Sequence, residues 1–116
     1  MPETVKKTFK IDASSTNIPT SFSNADPASL VYQGARKVKI LALVNYSTEV
    51  LKINYSHGLT GSSPTEPDAY VPAAISGGGP GCLILDNVVL SPVLYIASDG
   101  SAITSGIVRG FAVGGE

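Results

Sequence analysis

Few residues in this chain could carry chemistry. His57 is the only histidine and Cys82 the only cysteine. A Ser-His-Asp or Cys-His centre needs a nucleophile hydrogen-bonded to one imidazole, which a third group orients. Ser56, Ser62, Asp68 and Cys82 supply the residue types, but no spacing gathers them around His57. His57 precedes Gly58 in a turn-rich stretch and reads as a surface histidine. A single thiol excludes an intrachain disulfide and a cysteine metal site. Cys82 is expected to be a buried, inert thiol.

Other motifs dissolve on inspection. Gly77-Gly78-Gly79-Pro80-Gly81 matches a phosphate-cradling loop in glycine content alone. No Lys-Ser/Thr pair follows it, and a strand rather than a helix comes next. Asp99-Gly100-Ser101 begins like a calcium loop but lacks the later acidic ligands. Asn45-Tyr46-Ser47 and Asn54-Tyr55-Ser56 match the glycosylation pattern and read as chance matches, in a turn and at a strand end. Sugar sites often stack a ring on an exposed aromatic, yet there is no Trp. Of Tyr32, Tyr46, Tyr55, Tyr70 and Tyr95, the exposed candidates are Tyr46 and Tyr70. Tyr55 and Tyr95 are expected in the core. The expectation is a chain without catalytic residues, cofactor or metal, and not an enzyme.

The elements that would position these residues are strands. Val38 to Val44 and Val50 to Tyr55 are rich in residues that fit a pleated, half-buried surface. Asn45 to Glu49 between them has turn chemistry. The pattern predicts a hairpin that pairs Leu43 with Leu51, Leu41 with Ile53 and Lys39 with Tyr55. Leu41, Leu43, Leu51, Ile53 and Tyr55 then share the core face. The opposite face holds Lys52 and Asn54, but also Ile40, Ala42, Val44 and Val50. A free monomer would expose those four. The N-terminal arm, a second sheet or a neighbouring subunit must cover them.

Along the chain, residues 4–11 alternate in part. Val5, Lys7, Phe9 and Ile11 lie on one side, as suits a lysine-protected edge strand. Residues 12–29 read as an extended arm or long loop, in which Asp26 to Ser29 could start one helical turn. A short strand is expected over Ser29 to Gln33. Residues 57–69 read as a surface loop. Tyr70 to Ile75 is a strand that Pro72 places at an edge. Ser76 to Gly81 is a turn, and Cys82 to Leu90 a strand with a bulge or turn at Asp86-Asn87. Pro92 to Ala97 and Gly106 to Val113 form the last pair, with Asp99-Gly100 as the turn. These seven or eight short strands predict an all-β, antiparallel β-sandwich, jelly-roll-like, over residues 36–116. Residues 1–35 form its edge strand and extended arm.

Composition points to assembly. The chain has 116 residues, enough for one domain. It is 43% hydrophobic and only 15% charged, against roughly 25% charged in an average globular protein. Net charge is −1, so no nucleic-acid partner is expected. Residues 1–52 hold seven Lys and Arg against four acids, a net of +3. Residues 53–116 hold one against five, a net of −4. The longest apolar run, Ile40 to Val44, is far short of a membrane span. The N-terminus lacks a signal-peptide pattern, so use without secretion is expected.

The segment KILALVNYSTEVLKINYSHG, a turn-rich stretch, and PVLYIASDGSAITSGIVRGFAV together resemble small all-β virion proteins of tailed bacteriophages. The likeness spans roughly residues 36–113 and rests on short motifs. It implies a non-enzymatic structural protein, most simply a capsid decoration (cement) protein. Its partners would be copies of itself, as a trimer or ring, and a major capsid or other virion protein. Assembly would take place in the host cytoplasm. The candidate interface residues are Ile40, Ala42, Val44, Val50, Tyr46 and Tyr70. The alternative is a carbohydrate- or receptor-binding module, or a neck or tail adaptor.

Overall fold

The computed structural model describes residues 6–24, 36–57, 64–90 and 94–113. Eight strands follow in chain order: β1 Lys6–Asp12, β2 Ser23–Asn24, β3 Arg36–Asn45, β4 Leu51–Asn54, β5 Ala69–Val71, β6 Gly81–Leu90, β7 Tyr95–Ser98 and β8 Ile107–Val113. They form two four-stranded sheets, ordered β1-β8-β3-β6 and β2-β7-β4-β5, and every pairing is antiparallel. The first strand pairs the last, the second the seventh, the third the sixth and the fourth the fifth. That nesting is one long hairpin rolled up, with β3·β8 and β4·β7 as the contacts made by rolling. It is jelly-roll connectivity.

Neither predicted hairpin exists. β3 and β4 lie in different sheets, and so do β7 and β8. Leu43 pairs with Leu83 and Gly110 rather than Leu51. The residues predicted to share the core do meet there, but across it. Leu41, Leu43, Leu51 and Ile53 are fully buried, with Tyr55 packed against them. Turn chemistry and alternation are the same whether a chain reverses within a sheet or crosses to the facing one. Ala102 and its neighbours belong to the crossover from β7 to β8, where Ile103 bridges Ile18.

β1 is an edge strand as expected. The arm reading needs correction, however. Over residues 6–24 the N-terminal region supplies a strand to each sheet and buries Ala13, Ile18 and Phe22. This span is part of the sandwich, not an appendage to it. The helical turn at Asp26 and the strand at Ser29 to Gln33 lie outside the described residues. So do Val5, Tyr32 and Ser62.

Between β1 and β2, Asp12 holds the turn. Ser14 N and Ser14 Oγ donate to Asp12 Oδ1 at 3.1 and 2.6 Å. The Ser14 hydroxyl, then its amide, and more weakly Lys10 hold the Asp12 carboxyl below its ordinary value. Its folded-state value is the depressed one. The linked stability is therefore present above the unfolded value and lost as pH falls through the folded one. NMR titration should find Asp12 titrating low, and Ser14→Ala should move it back towards an ordinary aspartate. An unmoved titration would show that Ser14 is not the cause.

β6 runs through Asp86-Asn87 without the predicted turn or an inserted residue. Pairing with β3 keeps one register on both sides, and only the Lys39–Asn87 rung is absent. Asn87 has φ +53°, a left-handed conformation that asparagine tolerates better than most residues. The inward positions change phase there. Leu41, Leu43, Leu83 and Leu85 face the core on one side of the break, and Val38 and Val88 on the other. Unbroken alternation would have turned Lys39 inward.

Candidate assembly surface

The residue types that suggested catalysis serve local structure. Asp68 Oδ2 accepts Tyr55 N, Ser56 N and Ser56 Oγ at 2.9, 3.1 and 2.8 Å. This clasps the end of β4 to the residue that immediately precedes β5. His57 is half-buried, its ring edge-on to Tyr95 with centroids 5.9 Å apart. Tyr95 is buried, as expected, while Tyr55 is only partly so. Cys82 is exposed on β6, contrary to the expected buried thiol. It alternates with Leu83 and falls on the outward side of an edge strand.

The two Asn-Tyr-Ser triplets form a matched structural device. Asn45 is fully buried. Its Nδ2 donates to Glu49 O and Pro72 O at 2.8 and 3.0 Å, and its Oδ1 accepts Ser47 N and Ser47 Oγ at 2.9 and 2.7 Å. Asn54 repeats the pattern: Nδ2 donates to Glu66 O at 2.9 Å, and Oδ1 accepts Ser56 N and His57 N. Each asparagine ends a strand and ties the departing chain to a distant carbonyl. The recurrence of Asn-x-Ser at two strand ends is an Asx-turn signature, and it was the available clue.

The β3–β4 crossover (residues 46–50) and the β7–β8 crossover (residues 99–106) run side by side at this end of the sandwich. Tyr46 N donates to Ile107 O and Asp99 N to Val50 O, at 2.9 and 2.8 Å. Ser101 N reaches Glu49 Oε1 at 3.2 Å. Gly106 has φ +96°, and a Cβ there would lie 3.0 Å from Ser47 Cα. The close passage of the two chains therefore requires glycine.

The six candidate interface residues fall in three places. Ile40, Ala42 and Val44 share the outer face of the β1-β8-β3-β6 sheet. Tyr46 and Val50 belong to the β3–β4 crossover. Tyr70 lies on the outer face of the other sheet, beside Lys52. Ala42 is not the exposed residue expected, being only 3% accessible. Its row mates Phe111 and Ile84 flank the small side chain. They are residues that the hairpin reading could not bring there. Ile84 is 66% accessible. The rows across this face read Lys6–Val113–Ile40–Asp86, Thr8–Phe111–Ala42–Ile84 and Lys10–Arg109–Val44–Cys82.

The opposite outer face is dressed by the chain itself. Phe22 packs with Tyr95 and Ala97 in a second small cluster. The Lys52 ammonium lies 5.3 Å from the Phe22 ring centroid, within cation–π range. No comparable cover lies over Ile84 or Ile40 among the described residues.

Among the described residues, fold and surface together define an eight-stranded jelly roll with one outer face partly covered by Phe22 and Lys52 and the other uncovered and apolar through its middle row. No protein-family model matches the chain, and no curated protein matches it in sequence. Among solved structures it is similar to a protein of Bacillus endospore appendages, described as forming a novel family of disulfide-linked pili. The TM-score is 0.50 at 14% identity, over 97% of this chain and 88% of that one. This is a likeness of fold. It supports the small all-β architecture and does not distinguish a phage particle from another assembly.

Proposed function

We propose that this chain is a non-enzymatic structural subunit that assembles with copies of itself and with a larger shell. Its setting in this reading is capsid decoration of a bacteriophage virion, assembled in the host cytoplasm. One observation carries the reading: the outer face of the β1-β8-β3-β6 sheet is apolar through its middle. Burying an exposed isoleucine such as Ile84 contributes about 1.5–3 kcal/mol, and repeated sites add avidity. The resemblance of residues 36–113 to virion proteins supplies the setting. The jelly roll occurs in viral capsid and lectin domains alike, so fold alone does not choose between them.

The test is association measured by light scattering and sedimentation, alone and with candidate shell proteins. The wild-type chain should form a defined multimer. Ile40→Lys with Ile84→Lys should weaken binding to the larger partner by about thirtyfold or more, equivalent to about 2 kcal/mol. A chain that stays monomeric at high concentration and binds no shell overturns the reading. Glycan binding lost in Tyr46→Ala with Tyr70→Ala, with assembly absent throughout, would establish the binding-module alternative instead.

A further inference from the structure

The two free edges of the β1-β8-β3-β6 sheet differ in kind. Among the described residues, no strand pairs with the outer edge of either β1 or β6. β1 carries Lys6, Lys7 and Lys10, the usual guard against unwanted pairing. β6 is ten residues long and has Asp86 as its single charge. It also exposes Ile84 and Val89, at 66% and 58%. A long apolar edge with one charge is a template for another strand.

We propose that β6 of one copy pairs antiparallel with β1 of the next, joining subunits head to tail through a continuous sheet. The proposal rests on the self-assembly reading and names its lateral contact. Three observations select a second copy as occupant, in this orientation. First, the sheet has an even number of alternating strands, so its two edges run in opposite directions. A second copy set beside the first without turning over therefore brings β6 antiparallel to β1. Second, faces match. Extending the rows places Asp86, Ile84 and Cys82 across from Lys6, Thr8 and Lys10 of the next copy, all outward positions by register. Leu83 and Leu85 then fall in the same rows as positions 9 and 7. Third, charges are complementary. Asp86 meets the lysine-bearing edge, whereas β1 against β1 opposes lysines and β6 against β6 leaves both lysine edges bare. The break at Asn87 confines regular pairing to residues 81–86. Such a heterologous contact closes into a ring or runs on as a fibre.

Cys82 provides the test, because its row mate across the joint is position 10. Full-length Lys10→Cys protein, oxidised with copper phenanthroline, should give a ladder of disulfide-linked species beyond the dimer on a non-reducing gel. Thr48→Cys, exposed but off the joint, should not. Asp86→Lys should weaken self-association about tenfold or more, since opposed like charges are strongly unfavourable at an interface. Lys6→Asp combined with Asp86→Lys should restore it to within a few-fold. Circular dichroism of each variant separates lost pairing from lost folding. Equal ladders at positions 10 and 48, or charge reversal without effect on an assembling protein, overturn the edge pairing while leaving self-assembly standing. A wild-type chain that never associates overturns both.

Discussion

Replacing Leu43 with alanine should lower the stability of the sandwich by about 3–4 kcal/mol, within the range for truncating a fully buried leucine. Leu43 is inaccessible to solvent and belongs to the main core cluster with Leu41, Leu51, Ile53 and Val108. Its neighbours along the row are Leu83 on β6 and Gly110 on β8. Gly110 offers no side chain to collapse into the vacated space, so much of the cavity should persist, and the residual volume adds to the lost transfer energy. Urea denaturation of the two proteins measures the difference. Ile84→Ala on the outward face should stay within about 0.5 kcal/mol in the same assay, as is usual for surface positions. A loss below about 1 kcal/mol for Leu43→Ala would mean that β3 presents its other face to the core.

Asn45→Ala should destabilise the protein by about 2–4 kcal/mol, an unusually large effect for a polar side chain. All four hydrogen-bonding positions of its amide are used. Deleting it strands the Pro72 carbonyl and the Ser47 amide and leaves Glu49 O only the longer bond from Ser47 Oγ at 3.2 Å, and each unsatisfied buried group costs about 1–3 kcal/mol. The Pro72 bond also fastens the β3–β4 crossover to the chain that leaves β5 for β6. A Cβ at Gly81 would overlap that same Pro72 carbonyl, so little space exists for rearrangement. Asn45→Asp keeps the shape and the acceptor but removes both donors. It should be destabilised comparably, which would assign the effect to hydrogen bonding rather than volume. Thermal and urea unfolding report both variants. If Asn45→Asp matches wild type, the Nδ2 bonds contribute nothing.

The two proposals, head-to-tail edge pairing and docking through the apolar outer face, would use two separate surfaces. In the proposed assembly the β6 edge would join one copy to β1 of the next, and the face presenting Ile84 and Phe111 would be left for a larger partner. Phe22 and Lys52 cover part of the opposite face, where Tyr70 stays exposed.

Alternation identified Leu41, Leu43, Leu51 and Ile53 as core residues, because a strand's period of two fixes which side chains share a face, but it missed Val38, which is buried where the phase changes. The lysines of β1 and Pro72 after β5 marked edges for the same local reason: their backbone or charge suits only one side of a ladder. Pairing partners were not legible. Asn45 to Glu49 and Asp99-Gly100 have the chemistry of tight turns, and the same chemistry serves a chain crossing between sheets. Only the rolled-up topology decided that Leu43 stands beside Leu83 and Gly110, that Cys82 faces outward, and that Ala42 hides between Phe111 and Ile84. Neighbours across a ladder come from distant parts of the chain, and the energy that selects them is shared over the whole core. The asparagine clasps show this most plainly: Glu66 O reaches Asn54 only once β4 and β5 have paired, and Pro72 O reaches Asn45 only once the two sheets have closed.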